Sequence, residues 1–130
     1  MRKMFFLLVL VGCGGPDPTP TGATCPTDST LTYTNFGQPF MEAYCTRCHS
    51  SELHGADRHG APLFHDFDTL DGILPVADHV DEYAGAGPNA INRIMPADDG
   101  DKPTDEERFQ LSEWLACELE LLENPPDAGP

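Results

Sequence analysis

The segment 45–49, Cys-Thr-Arg-Cys-His, has the residue types and the spacing to bind a porphyrin covalently. Because Cys45 and Cys48 are separated by two residues, one turn of the chain can bring both thiols to the two vinyl groups of the ring. His49 follows directly and is suited to ligate the iron. The spacing therefore predicts one haem c, bonded to Cys45 and Cys48, with His49 as an axial ligand.

Zinc sites and dithiol redox sites also use a Cys-x-x-Cys pair and are the alternatives. A zinc site of this kind needs a second Cys or His pair at matching spacing. Cys13, Cys25 and Cys117 stand singly in the chain, and His54 and His59 do not reproduce a finger spacing. A thioredoxin-like site would need a strand–helix–strand pattern around the motif, which the sequence lacks. These observations favour haem.

Composition limits the chain to one small domain and restricts its partners. At 130 residues, less any leader and tails, the buried core is small, and an apolar cofactor would enlarge it. The formal net charge is -15, and removal of a leader with Arg2 and Lys3 leaves five basic and 22 acidic residues, or -17. This charge argues against nucleic acid as a partner. It favours either a protein with a basic docking surface or a solvated acidic coat without a specific partner.

The first residues predict export. Arg2 and Lys3 precede an apolar run over 4–11 that is too short to span a bilayer. The run ends in Leu-Val-Gly-Cys at 10–13 and resembles the lipobox of bacterial lipoproteins, in which a peptidase cuts before a cysteine that then carries lipid. We therefore predict a signal peptide over 1–12 and lipidation of Cys13; ordinary secretion with cleavage elsewhere is the alternative. Because Gly14, the residue after the cysteine, is not an aspartate, comparison with bacterial lipoproteins suggests the outer membrane, on its periplasmic side.

Composition also divides the rest of the chain. Alternating prolines at 16, 18 and 20 cannot bury surface and favour an extended backbone. We predict a lipidated cysteine and Pro-rich tether over 13–30, a folded domain over 31–123 and a disordered tail over 124–130. Export agrees with the haem motif, because bacterial c-type maturation takes place outside the cytoplasm.

A helix is predicted from about residue 35 into the haem motif. Gly37, Met41 and Cys45 recur at intervals of four, with Phe40 and Tyr44 on the adjacent row. This arrangement resembles the first helix of class I monohaem cytochromes c, in which a glycine and an aromatic precede the first haem cysteine on one face. Met41 occupies the aromatic position here, which is a departure, and Phe40 and Tyr44 are expected to supply the missing bulk.

The resemblance also implies a sixth ligand. Met95 is followed by Pro96 on a loop before the last helix, 46 positions beyond His49, which resembles the distal ligand site of the family. It implies His/Met ligation of the iron. The competing ligands, which would give bis-His ligation, are His54, His59, His65 and His79.

The loop after the motif is expected to cover the side of the haem that His49 ligates. Its segment Gly60-Ala61-Pro62 resembles the glycine–proline step whose carbonyl binds the second nitrogen of the ligand histidine, and this role falls to Pro62; a plain turn proline is the alternative. Arg58 and Arg93 are candidates to neutralise the haem propionates. Exposure to solvent without this role is the alternative for both arginines.

The remaining elements follow from local patterns. We predict a turn of helix over 69–74 and helices over 76–83 and 88–94. Thr104 and Glu107 form a capping box that opens the last helix. Its core-facing stripe is Leu111, Trp114, Leu115, Leu119 and Leu122. In the family this helix crosses the first one. The acidic run 98–101 lacks the alternation of a calcium loop and is predicted to be a solvated turn.

Cys25 and Cys117 remain after lipid and haem have been assigned. Export places them in an oxidising compartment, where thiols rarely stay free. If the first and last helices cross as in the family, the outer ends of these helices approach, and we predict a Cys25–Cys117 disulfide. A buried Cys117 with a free Cys25 is the alternative.

The resemblance to class I cytochromes c covers about residues 31–123. It implies a small all-α bundle around one haem and one-electron transfer between redox partners, in a protein that is not an enzyme. One alternative is a haem-based sensor or ligand-binding module in which the sixth ligand is displaceable, with weak peroxidase activity. Another is a bound subunit of a larger respiratory or dehydrogenase complex.

Overall fold

The structure, a computed structural model, describes residues 15–126 and is helical. A π-helical turn at Tyr33–Gly37 runs into α1, Gln38–Tyr44, and is followed by a 3-10 turn at Gly55–Arg58, α2 at Leu70–Ile73, a 3-10 turn at Leu74–Val76, α3 at Ala77–Ala84 and α4 at Asp105–Glu123. Over 15–126 the β pairing is a single isolated antiparallel bridge, between Ala86 and Ile91. The expected small all-α fold is therefore present. No helix in this part of the chain is long and apolar enough to cross a membrane.

The first helical segment packs against α4 at Gly37. A Cβ atom on Gly37 would overlap the indole of Trp114, so glycine lets the first helical segment approach α4 closely. Trp114 is fully buried, and its ring centroid lies 6.3 Å from those of Tyr33 and Phe36. The aromatic contacts of Trp114 thus involve the π-helical turn.

The capping box of α4 forms as predicted. The Thr104 hydroxyl accepts the Glu107 N–H at 3.2 Å, and the Glu107 carboxylate accepts the Thr104 N–H at 2.8 Å. That second bond, to the ionised carboxylate, lowers the pKa of Glu107. The apolar stripe is shorter than predicted, since Leu122 is 61% exposed. The last turn of α4 therefore extends beyond the core.

The predicted helix over 88–94 is wrong. Gly85–Ile91 forms a turn instead, in which Gly87 N–H donates to Ala90 O at 2.9 Å. Asn92 closes the turn by donating its N–H to Gly85 O at 2.8 Å, and its buried side-chain amide binds the turn to the rest of the fold by donating to Thr19 O at 2.7 Å and to Asp81 O at 3.1 Å. Such long-range bonds satisfy the backbone without a helix. The predicted short helices over 69–74 and 76–83 correspond to α2 and α3.

The predicted tether also differs from the structure. Thr21 is completely buried, although it belongs to the Pro-rich segment. Its backbone N–H and its hydroxyl both donate to the carboxylate of Asp81 on α3, at 3.0 and 2.7 Å. Its carbonyl accepts the N–H of Asn89 at 2.9 Å. The folded unit therefore begins near residue 19 rather than at 31, because a few long-range hydrogen bonds hold a segment whose composition suggests a linker.

Cys25 also joins the segment before α1 to the rest of the fold. It forms a disulfide with Cys117 on α4, with 4.6 Å between the Cα atoms, and this is the pair that the sequence analysis predicts. Cys13, the signal peptide over 1–12 and the end of the tail lie outside the described residues, so lipidation stays a prediction.

Substitution of Thr21 by valine is expected to destabilise the fold by about 2 kcal/mol, because a hydrogen bond to a charged group contributes roughly 1.5–3 kcal/mol. Urea unfolding followed by circular dichroism measures the difference. Thr19→Val is the matched control, since the Thr19 hydroxyl is exposed and donates only to Asp17 O. Equal stabilities of the two variants would contradict the role given to Thr21.

Candidate cofactor site

The attachment motif forms a compact turn at the end of α1. The helix ends at Tyr44, and Cys45 caps it by donating its N–H to Met41 O at 2.8 Å. The N–H groups of Cys48 and His49 then both donate to Cys45 O, at 3.1 and 2.9 Å. Within residues 15–126, Cys45 and Cys48 are the free cysteines, and both are partly buried. Two unbonded thiols are thus held on one rigid turn.

A cavity of about 660 Å³ opens beside this turn. That volume falls in the range of small-molecule and cofactor sites, roughly 300–1,000 Å³. The predicted attachment and ligand residues Cys45, Cys48, His49 and Met95 all line it, as does Pro62. Apolar and aromatic side chains form much of the remaining wall and include Phe40, Tyr44, Phe67, Val80, Tyr83 and Ala84. Residues distant in sequence therefore meet around one apolar-walled space.

His49 is fixed by two contacts. Its Nδ1 lies 3.0 Å from the carbonyl oxygen of His65, and its ring stacks on Phe67 with 4.6 Å between centroids and 12° between planes. Because Nδ1 donates to the carbonyl, Nε2 keeps its lone pair and is the nitrogen able to bind a metal. Burial lowers the pKa of His49, which favours the neutral ring that a ligand requires.

The carbonyl assigned to Pro62 from the sequence is therefore the wrong one. His65, three residues later, supplies the acceptor for His49, while Pro62 O accepts an N–H of Arg58 at 2.7 Å. The loop reaches this conformation through left-handed residues at His59, Gly60 and Phe64. Local sequence likeness does not specify which carbonyl such a loop turns toward His49.

Arg58 has a different role from the one predicted. It is 4% exposed and does not line the cavity. Its guanidinium donates to backbone carbonyls of the surrounding loop, including Ser50 O at 2.6 Å and Ala61 O at 3.2 Å. It also lies 2.8 Å from a carboxylate oxygen of Asp66, an ion pair outside hydrogen-bonding geometry. The loop over 50–66 has little regular structure to satisfy its carbonyls, and the buried Arg58 supplies the donors.

Arg93 is likewise not a cavity residue. Its exposed guanidinium forms a bidentate pair with Asp105 in the first turn of α4, at 2.6 and 3.2 Å. It does not line the cavity. Neither Arg58 nor Arg93 is therefore placed at the cavity for the propionate role considered from the sequence, since both guanidinium groups are bound elsewhere.

Arg47, inside the motif, is the arginine that lines the cavity. It forms a bidentate ion pair with Asp98, on the loop that follows Met95. Hydrogen bonding to Arg47 lowers the pKa of Asp98. From the sequence, Arg47 is only a spacer and the acidic run a solvated turn. The signal that could have found the pair is an arginine within the motif and a carboxylate three residues after the candidate ligand.

Backbone bonds hold Met95 on both sides. Its N–H donates to Tyr83 O at 2.9 Å, and its carbonyl accepts an N–H of Arg108 at 3.0 Å. Arg108 is buried on α4 and donates to Ala84 O and Asn92 O from the same nitrogen. The Met95–Pro96 peptide bond is cis. Sequence reasoning missed Arg108 because a helical arginine near a capping box resembles a solvated residue.

Besides His49, three of the four histidines that compete for the distal position border the same cavity, namely His59, His65 and His79. The rings of His65 and His79 stack at 5.7 Å, with 3.4 Å between Nε2 of His65 and Nδ1 of His79. His54, the fourth competitor for the distal position, does not line the cavity. His79 on α3 is thus the histidine competitor that lies outside the loop over 50–66 and still reaches the cavity.

A closed zinc site would need two further ligands beside Cys45 and Cys48. Over residues 15–126, no group of three or more His, Cys, Asp or Glu side chains is arranged to hold a metal ion. The side chains of Cys45, Cys48, His49 and Met95, which all line the cavity, instead fit thioether attachment with two axial ligands.

No family model, curated protein or solved structure matches the chain.

Proposed function

We propose that this protein is an exported c-type cytochrome similar to class I monohaem cytochromes c, and that it carries single electrons between redox partners. The observation that carries the proposal is the cavity, which Cys45, Cys48, His49 and Met95 all line. The first three belong to a five-residue motif and the last lies 46 positions further along the chain. A specific motif and an independent ligand candidate therefore converge on one space of cofactor size.

Each residue has a role in this proposal. Cys45 and Cys48 hold haem c through thioether bonds, His49 ligates the iron through Nε2, and Met95 ligates it through sulfur. The bound haem supplies the chemistry, a change of iron between ferric and ferrous states. The hydrogen bond from His49 to the His65 carbonyl raises the basicity of the ligand and fixes its ring. Two fixed axial ligands favour electron transfer, because the coordination then changes little with the redox state.

The proposal extends to the cell envelope. Lipidation of Cys13 would anchor the protein at the periplasmic side, with the outer membrane preferred. Since residues near 19 are bound to the fold through Thr21 and Thr19, the anchor would lie close to the domain. The excess of acidic residues supports a redox partner with a basic docking surface.

Covalent haem is the first test. The full chain, expressed in a host with c-type maturation, is expected to give a haemochrome spectrum in reducing pyridine and to keep its colour through acid-acetone extraction. The variant Cys45→Ala/Cys48→Ala is expected to lose all covalent haem, because it lacks both thioethers. Haem stain on a denaturing gel measures this loss.

The matched control is Cys25→Ala/Cys117→Ala, which removes the same number of sulfurs away from the cavity. It is expected to retain covalent haem even if loss of the disulfide weakens the fold, because haem stain on a denaturing gel reports the thioether bonds themselves. If acid-acetone extraction removes the haem colour from the unsubstituted protein, the haem is not covalently bound and the proposal is wrong.

The histidines at the cavity favour one alternative, a haem-based sensor in which Met95 is displaceable. His59, His65 and His79 offer polar groups beside a ligand that enters the cavity. The ferric spectrum separates the two functions, since methionine ligation gives a weak far-red charge-transfer band that an open or bis-His iron lacks.

A further inference from the structure

One side chain links the attachment turn to the loop that follows Met95. Nε of Arg47 donates to Oδ2 of Asp98, and Nη2 of Arg47 donates to Oδ1 of Asp98 at 2.9 Å. Nη2 also donates to Asp101 O at 3.0 Å, and Nη1 donates back to Ala43 O on α1 at 3.1 Å. All three guanidinium nitrogens are therefore engaged, and they span the gap between α1 and the loop 96–101.

Other contacts do not make this link. Lys102 binds within the loop, to the carbonyls of Pro96 and Asp98. Arg108 and Tyr83 hold the Met95 backbone from α4 and α3. Over residues 15–126, the hydrogen bonds and ion pairs between the segment 45–49 and the loop all come from Arg47.

The loop is shaped to receive this guanidinium. A Cβ atom on Gly100 would lie 2.9 Å from Cζ of Arg47, so the backbone passes close beneath the group. Both Arg47 and Asp98 line the cavity and are about one third exposed, at 31% and 33% of their side chains. A pair this exposed contributes little to global stability. Its bidentate geometry instead fixes the relative position of the two segments.

We propose that the Arg47–Asp98 pair is a positioning clamp that keeps Met95 on the haem iron by fastening its loop to the turn bearing Cys45, Cys48 and His49. This inference rests on the proposed function. The sulfur of Met95 is a neutral ligand on a flexible side chain, so its retention depends on where the loop holds it. Arg47 and Asp98 act through Met95 and do not contact the iron.

The test uses haem-loaded full-length protein and imidazole as the competing ligand for ferric iron. Arg47→Gln and Asp98→Asn are each expected to raise the affinity for imidazole roughly five- to tenfold, a typical coupling between two sites. Both should weaken the far-red methionine band. The double variant should match Arg47→Gln, because that substitution already removes the bonds between Asp98 and the attachment turn.

Asp105→Asn is the matched control, since it removes another bidentate arginine–carboxylate pair, with Arg93, outside the loop. It is expected to leave imidazole affinity unchanged. Thermal unfolding of the Asp98→Asn and Asp105→Asn variants should coincide, which separates positioning from general stability.

Met95→Ala measured in parallel separates the two proposals. If Met95→Ala raises imidazole affinity and Asp98→Asn does not, the clamp alone is overturned. The clamp is also overturned if Arg47→Gln raises the imidazole affinity while Asp98→Asn leaves it unchanged. Arg47 would then act on Met95 without its ion pair to Asp98. If Met95→Ala leaves imidazole affinity unchanged, Met95 is not the ligand, and the clamp fails together with the proposed ligation.

Discussion

Loss of the Cys25–Cys117 disulfide is expected to lower the free energy of unfolding by about 4 to 5 kcal/mol in the chain-entropy model. The bond joins residues 92 positions apart, so its loss gives the unfolded chain much of its freedom back. A small domain has a total stability of roughly 5–15 kcal/mol. The loss is therefore comparable with the whole stability of the fold, and the segment before α1 is expected to detach from α4 first.

Two comparisons isolate the cross-link. Urea unfolding of Cys25→Ala/Cys117→Ala is compared with the unsubstituted protein in its oxidised and reduced forms. Cys117 is buried, so its truncation removes some packing as well. The difference in the free energy of unfolding between the oxidised and the reduced unsubstituted protein contains no contribution from lost packing. It should account for most of the roughly 4 to 5 kcal/mol expected for the disulfide. A difference below about 1 kcal/mol would contradict a stabilising disulfide, since it would fall far short of the model.

The predicted site residues that line the cavity share a property that a sequence displays directly. Cys45, Cys48 and His49 form a motif with a specific spacing, and Met95 is set apart by its following proline. Their side-chain chemistry is informative without knowledge of the fold. The capping box of α4 is equally local, because both partners lie within one turn.

The residues that sequence reasoning missed depend on contacts between distant segments. Arg47 and Asp98 are 51 positions apart, and Thr21 and Asp81 are 60 apart. Each of them taken singly resembles a solvated residue, and only the fold brings the partners together. The acceptor for His49 follows the same rule, since the path of the loop decides that it is His65 O.

Three of the arginines explain how so short a set of helices encloses a cavity. Arg47, Arg58 and Arg108 each donate to backbone carbonyls in segments without regular structure. Guanidinium groups suit this task because they present five donors in a rigid fork. The cavity walls between the helices are therefore held by arginine side chains where a larger protein would use more secondary structure.

Replacement of Met95 by alanine is expected to leave haem attached while it opens the sixth position of the iron. The thioethers to Cys45 and Cys48 and the ligand His49 do not depend on Met95 in the proposed site. Methionine sulfur favours ferrous iron, so its loss should lower the reduction potential. A fall on the order of 0.1 V is reasonable, since axial ligands set haem potentials over a range of about 0.8 V. Spectroelectrochemical titration measures the potential, and carbon monoxide binding by the ferrous protein reports the open position.

Met41→Leu is the control for the loss of a methionine. Met41 is buried beside the attachment turn but does not line the cavity, and exchange for leucine conserves its volume. The potential and the carbon monoxide response of this variant should match those of the unsubstituted protein. If Met95→Ala instead keeps its potential and binds no carbon monoxide, another side chain occupies the sixth position. His79 would then be the residue to replace next, because it reaches the cavity from α3.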